Sequence, residues 1–402
     1  MKPTPHYSQT RTRALRLVCC AALLLVAAAC ISSSTPSLTD AAAPYRPARI
    51  AASVPSRPGA LAWSPDSSQL AFIDKTVTIL GAGSDGAALK HIDITAPRYL
   101  AWADDETLYV LAREGGRDFL FRVDPALPSM TRTPLDRRAD AVYPAGGGRV
   151  FLLSLQASQM RIGTEVRCAL SELNLAGGPT TTLHAYSRIV PAADGEEDLL
   201  FAWSHAGPNP LDGSFLIMEH IKPPALAPYT LIKALDPGTG DLMDVSGLDR
   251  RALYASASWS PDGRRIALTD FSGRISVRGR DEKSEFDGPA LSRFPSWHPA
   301  GNLLMVGGTI INMATGESTP LVTNSAGSYA RWSPDGKRLA VATQGELLLF
   351  RNFAAPARDP LDRDLKKKLT MLKELLRDGL ITAEDYRARR SRLLQDKEGG
   401  QP

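Results

Sequence analysis

The stretch Ser258-Trp-Ser-Pro-Asp-Gly-Arg-Arg-Ile-Ala-Leu268 decides the fold, because the same phrase returns as LAWSPDSSQLAF (61–72) and as ARWSPDGKRLAV (330–341). Ser-Pro-Asp-Gly suits the four positions of a type I turn, with Ser first, Pro fixing φ at the second corner, Asp third and Gly last. Small or apolar residues ending in Trp lead into the turn, and an alternating run such as Arg265-Ile-Ala-Leu-Thr269 leaves it. Each copy reads strand, tight turn, strand.

All six tryptophans, Trp63, Trp102, Trp203, Trp259, Trp297 and Trp332, stand in this setting, in the contexts LAWSPD, LAWADD, FAWSHA, ASWSPD, PSWHPA and ARWSPD. A seventh, looser copy is AVYPAGGGRVFLLS (141–154), with Tyr143 at the aromatic position and a Gly-rich turn behind it. The copies recur roughly every 35 to 60 residues, the period of a propeller blade. Further strand-like runs lie between them, such as Tyr229-Thr-Leu-Ile-Lys-Ala-Leu235 followed by the turn Asp236-Pro-Gly-Thr-Gly240. A unit of about four antiparallel strands cannot bury both of its faces alone, so the units must stack on one another, and a closed ring leaves no unpaired end. The predicted fold is all-β: a β-propeller, with seven blades favoured and six or eight open. One buried aromatic per blade contributes roughly 4–6 kcal/mol gross at ~25 cal/mol/Å², an upper bound, and so is a plausible repeated anchor. The last copy supplies about three strands, and Ala48-Arg-Ile-Ala-Ala-Ser-Val54 is predicted to be the missing strand that closes the ring.

The Trp-Ser-Pro-Asp-Gly phrase followed by a strand resembles the WD40-like PD40 repeat of TolB-type propellers, best at Trp63, Trp259 and Trp332. The resemblance covers about residues 47–355. It implies a fold, not an activity.

The N-terminus has a different character. Arg11, Arg13 and Arg16 precede the apolar run Leu17-Val-Cys-Cys-Ala-Ala-Leu-Leu-Leu-Val-Ala-Ala-Ala29, a basic region followed by a hydrophobic region of secretory type. Residues 1–29 are predicted to be a signal peptide. Val26-Ala-Ala-Ala29-Cys30 resembles a bacterial lipobox, which implies lipid attachment at Cys30, membrane anchoring through that lipid and, with Ile31 next, an outer-membrane lipoprotein facing the periplasm. Ala27-Ala-Ala29 also suits an ordinary signal cleavage, so a freely secreted protein is the alternative. Residues 30–46, rich in Ser, Thr, Ala and Pro, read as a flexible tether. Cys19 and Cys20 leave with the signal and Cys30 takes the lipid, so Cys168 remains without an intramolecular disulfide partner.

After Phe353 the period becomes helical. Leu365, Leu369, Leu372 and Leu376 form a stripe, Asp378-Gly379 stops the first helix, and Thr382 with Asp385 caps a second. Residues 361–396 therefore read as a small helical hairpin whose core is too small to be stable alone. LKKKLTMLKELLRDGLITAEDYRARRSRLLQ resembles the SHOCT family, which implies oligomerisation or protein interaction. Its basic residues alternate with acidic ones, as on a solvated helix face.

No catalytic constellation is expected, and no metal or cofactor. Gly81-Ala-Gly83-Ser-Asp-Gly86 matches a dinucleotide fingerprint, but a strand follows it where the phosphate-binding helix should begin, so a hairpin loop is predicted. His91, His184, His205, His220 and His298 have no zinc spacing, and His298 takes the place of the turn Ser. Asp66, Asp262 and Asp335 are assigned to their own turns. A net charge of +4 is too mild to argue for nucleic acid. The Pro-rich segments 206–213 and 221–228 are candidate recognition loops. The expected function is a non-enzymatic, protein-binding or scaffolding component of the bacterial envelope, with partners among envelope proteins and self-association of the hairpin open. The alternative is a propeller hydrolase or lactonase with its site at the central channel.

Overall fold

The computed structural model describes residues 36–395, apart from 83–88, 128, 147, 161–162, 177–178, 192–200, 204–206, 222–228, 246–251, 272–273, 280–283, 290–293, 324–327, 344 and 354–359. Cys30 and the signal-like segment lie outside the described residues.

Seven four-stranded antiparallel sheets follow one another along the chain. Their first strands are Leu61–Trp63, Pro97–Trp102, Ala141–Gly146, Phe201–Trp203, Tyr254–Trp259, Ser296–Trp297 and Tyr329–Trp332, which open blades one to seven. First strands touch between blades one and two, two and three, six and seven, and seven and one, and the sheets form a seven-bladed β-propeller. Ala48–Ile50 is the fourth strand of blade seven and pairs antiparallel with Leu347–Phe350, Ala48 opposite Leu349 and Ile50 opposite Leu347. The two ends of the ring are thus sewn together by backbone hydrogen bonds, as expected from the missing strand.

The core lies between blades. Leu80, Ala340, Leu347 and Leu349 close the seam of blades seven and one, Val77, Val110 and Phe121 that of blades one and two, and Leu216, Ile232 and Leu268 that of blades four and five. Every sheet buries both faces against its neighbours, which is why strands such as Leu347–Phe350 and Leu339–Ala342 are apolar at every position and buried throughout.

The aromatic anchors join blades by hydrogen bond as well as by area. The indole Nε1 of Trp102 donates to Ala62 O at 3.0 Å, Trp63 to Arg331 O at 3.1 Å, Trp332 to Ser296 O at 3.1 Å and Trp297 to Ser258 O at 3.3 Å. Each acceptor is the residue just before the tryptophan of the preceding blade, so the same bond repeats by rotation about the axis. Tyr143 takes the anchor position in blade three, and its hydroxyl accepts from Tyr99 at 2.9 Å. Trp203 ends the first strand of blade four, and its side chain lies outside the described residues.

The turns are built as the phrase predicts. In the first copy Ser64 Oγ donates to Asp66 Oδ1 at 2.6 Å, and Asp66 Oδ1 accepts from Ser68 N at 2.9 Å. Asp262 and Asp335 repeat these bonds with Ser260 and Ser333. The turn ends in the left-handed region, at Gly263 (φ 68°) and Gly336 (φ 70°), and Ser67 accepts φ 66° where the sequence offers no glycine.

One expectation is corrected. The tether is not free along its length: Ser37–Leu38 pairs with Val322–Thr323, Asp40–Tyr45 forms a 3₁₀ turn with Ala42 fully buried, and Tyr45 stacks on Phe353 at 4.2 Å. Leu38, Ala42 and Tyr45 supply apolar surface for the edge of blades six and seven, which Ser/Thr/Ala/Pro composition alone does not reveal.

The chain ends in helix α1 (Pro360–Arg377) and helix α2 (Ala383–Gln395). Leu380 N donates to Leu375 O and Gly379 N to Leu376 O, a Schellman stop. Thr382 Oγ1 accepts from Asp385 N at 3.1 Å, the predicted N-cap. No helix among the described residues is long and apolar enough to cross a membrane.

Trp102→Phe keeps an aromatic side chain but removes the donor to Ala62 O and leaves a part-buried carbonyl without that partner, so it is expected to destabilise the protein by about 1 kcal/mol. A lowered urea midpoint with unchanged slope checks this; an unmoved midpoint would show that the inter-blade bond adds nothing.

Candidate functional site

First-to-second and third-to-fourth strand turns emerge on one face of the ring, and bonds between turns of neighbouring blades form a belt there. Asp66 N donates to Asp105 Oδ1, Asp335 N to Ser67 Oγ, and Asn209 Nδ2 to Gly263 O at 3.1 Å. His298 belongs to this belt. Its Nδ1 accepts from Ala300 N at 3.2 Å and its Nε2 faces Gly336 O at 3.1 Å, while burial holds its pKa below the ordinary histidine value. A neutral imidazole protonated on Nε2 satisfies both contacts, and it does so as a turn residue.

The helical pair rests on the blade-four part of this face. Tyr386, 1% exposed, donates its hydroxyl to Asp236 Oδ2 at 3.2 Å. Arg390 Nη2 pairs with Asp212 Oδ2 at 2.5 Å, and its Nη1 lies 3.6 Å from Asp236 Oδ2. Arg387 forks onto both oxygens of Asp241. Lys373 of α1 is buried beside Asp236 and Asp212, and desolvation, the largest influence, lowers its pKa despite those carboxylates. Burial pushes the Tyr386 phenol well above its ordinary value.

Leu369 and Leu372 are buried in the pair, and Leu376 reaches Gly238, so the apolar stripe is also spent on this contact. Beside α2 a cavity of about 240 Å³ opens between blades four and five, lined by Asp212, Met243, Trp259, Arg264, Arg278 and Arg390.

The Pro-rich segment singled out in the sequence takes part in this contact. Residues 207–214 form a buried turn in which Leu211 N donates to Asn209 Oδ1 and Ser214 N to Asp212 Oδ1. This segment is the blade-four counterpart of Ser-Pro-Asp-Gly. What its carboxylate recognises in this structure is the chain's own Arg390. Residues 222–228 of the second segment lie outside the described residues.

A second assembly stands at the axis. Tyr99 of blade two, Tyr143 of blade three and Arg331 of blade seven line one open cavity of about 220 Å³, with Leu61, Trp63 and Trp332 as apolar wall. Gly59 (φ 79°) makes room for it, since a Cβ there would lie 2.2 Å from the Tyr99 ring. The Arg331 guanidinium carbon lies 5.3 Å from the centre of the Tyr329 ring. The Tyr329 hydroxyl is buried beside that guanidinium and makes no hydrogen bond of ordinary geometry. Burial raises Tyr99, and it raises Tyr143 to about 12, against the bond from Tyr99. Desolvation opposes the Arg331 charge, yet the phenols of Tyr329, Tyr99 and Tyr143 outweigh it and leave its pKa above the usual arginine value.

Trp63, Trp102, Trp259, Trp297 and Trp332 are buried blade anchors, and Tyr143 joins anchor and axial roles. Cys168 is buried in blade three, where burial pushes its thiol up to about 12, far from a reactive thiolate. His91 and His220 face Thr78 and Thr230 across their sheets. Of the dinucleotide-like run, 83–86 lie outside the described residues, and the flanking strands pair directly, Leu80 opposite Leu89. Among the described residues no three His, Cys, Asp or Glu side chains are grouped so as to hold a metal ion.

No protein-family model matches the chain, and no curated protein matches it in sequence.

Sequence reading missed Arg331 as a special residue, although its signal is visible. The residues just before the other anchors are Ala62, Ala101, Val142, Ala202, Ser258 and Ser296, and only blade seven places a long cation there. The carboxylates Asp212, Asp236 and Asp241 had no such signal, because turn aspartates occur in nearly every blade.

Arg390→Ala leaves the buried carboxylate of Asp212 without its main partner, at a cost of about 3 kcal/mol to the docked state. Hydrogen exchange of α1 and α2 is expected to accelerate at least tenfold while the blade strands keep their protection; equal exchange in both proteins would remove the ion pair from the docking contact. The Arg387 hydrogen bond holds Asp241 below the ordinary carboxylate pKa. A carboxylate with a depressed pKa stabilises the docked form above its free pKa and loses that contribution as pH falls through about 4. Helix protection should therefore weaken between about pH 5 and pH 3, and Asp241→Asn should flatten that dependence.

Proposed function

We propose that this protein is an exported, lipid-anchored propeller that binds other proteins in the bacterial envelope and catalyses no reaction. The observation that carries the reading is the order of the N-terminus: a basic region, an apolar run and small residues leading into Cys30, then Ser37 already paired to the ring. Seven steps separate Cys30 from Ser37 and span at most about 25 Å. An acylated Cys30 would hold the edge of blades six and seven close to the bilayer, with an outer-membrane site facing the periplasm as the assignment suggested by Ile31.

The binding role is supported by the ring and by the hairpin. The turn phrase resembles the PD40 repeats of TolB-type propellers, and the C-terminal pair resembles the SHOCT module of interaction proteins. Docking on blade four uses ionic contacts around a small apolar stripe and leaves Met371 (61% exposed) and Leu380 (70% exposed) on the outside. A partner, or a second copy of the hairpin, would find apolar contacts there without dismantling the ring.

Growth with an alkyne-tagged fatty acid is expected to label the wild-type chain in the membrane fraction, and Cys30→Ala is expected to be unlabelled and soluble. Membrane retention of the unlabelled variant would defeat the lipid anchor. Crosslinking in envelopes should recover fewer partners with a chain ended after Phe353; identical recovery would take the hairpin out of the binding role.

A further inference from the structure

The seven blades are copies, so a position that differs in one blade stands out against six internal controls. The residue before the anchor aromatic is such a position. In four blades its carbonyl accepts the indole of the next blade, and its side chain is small or short in six blades and arginine in the seventh. A guanidinium is not needed for the inter-blade bond, because Ala62, Ser258 and Ser296 make the same bond without one.

Among the described residues no carboxylate lies within ion-pair distance of Arg331. Its surroundings are three phenols, of which Tyr329, 2% exposed, has a hydroxyl without a hydrogen-bond partner. A cation beside two phenols on the wall of one open, largely apolar cavity has the donor pattern of an oxyanion site. We propose that Arg331, with the Tyr99–Tyr143 pair beside it, binds the carboxylate of a small organic acid or chain terminus in the axial cavity.

The chemistry narrows the class. A single guanidinium balances one negative charge, which suits a monocarboxylate and leaves half of a phosphate dianion uncompensated. The wall of Leu61, Trp63 and Trp332 favours an apolar body behind the carboxylate. The volume, about 220 Å³, equals about seven waters at ~30 Å³ each, room for a body of a few carbons. This inference does not depend on the envelope-binding reading, since it concerns the axis and not the lipid or the hairpin.

The test uses the full chain and sodium hexanoate, with hexanamide as neutral isostere at matched ionic strength. Hexanoate is expected to raise the melting temperature and change the emission of Trp63 and Trp332, and hexanamide to do neither. Arg331→Ala reproduces what six blades already tolerate, so it should melt as wild type or higher without ligand and lose the hexanoate response. If Arg331→Ala fails to fold, Arg331→Lys keeps the charge without the fork and should lose most of the response at an unchanged melting temperature.

A tripeptide with a free rather than an amidated C-terminus distinguishes a chain terminus from a free acid as the natural source. A response to inorganic phosphate but not to either carboxylate, an equal response to hexanamide, or an undiminished response in Arg331→Ala overturns the proposal.

Discussion

The bond from an indole N–H of one blade to the backbone carbonyl beside the indole of the preceding blade is the constraint from which the other features follow. A four-stranded sheet satisfies its own backbone within the sheet, and nothing in that pattern says how sheets should meet. The indoles supply the missing instruction. Trp63, Trp102, Trp297 and Trp332 fix the height and rotation of their blades against the last, and the apolar second and third strands fill the seams that result. Sewing Ala48–Ile50 to Leu347–Phe350 then turns a row of seams into a ring.

Once the ring is closed, its turn face becomes a platform of fixed carboxylates and carbonyls. Most are spent inside the belt, as Asp66, Asp262 and Asp335 are in their own turns. Blade four differs because Asp212, Asp236 and Asp241 remain able to accept cations from outside the sheet, and the C-terminal helices bring Arg390, Lys373 and Arg387 to meet them. A buried ionic contact of this kind is strongly directional and contributes little net stability. It sets where the hairpin sits more than how tightly it holds.

Quasi-symmetry also shows what the fold does not require. Seven equivalent positions before the anchor aromatic need only a carbonyl, and six of them carry short side chains. The Arg331 side chain is extra to the architecture. With the phenols around it, it concentrates positive charge and hydroxyl donors on the axis, the one place in a propeller reached by every blade.

The propeller class, the turn chemistry and both helix caps were legible in the sequence, because each rests on interactions between residues close along the chain; the closing strand was legible only as the place that a three-stranded last copy leaves open, and the number of blades was fixed by the closed ring. Ser-Pro-Asp-Gly folds into its turn whatever surrounds it, and alternation and helical period report locally which face is apolar. The folding of 37–45 onto blades six and seven, the seating of the hairpin on blade four, and the meeting of Tyr99, Tyr143, Tyr329 and Arg331 were decided by the tertiary structure alone. Those contacts join residues from about 40 to nearly 300 positions apart, and their strength comes from desolvation inside a closed ring, a property of the assembled surface that no segment of the sequence carries by itself.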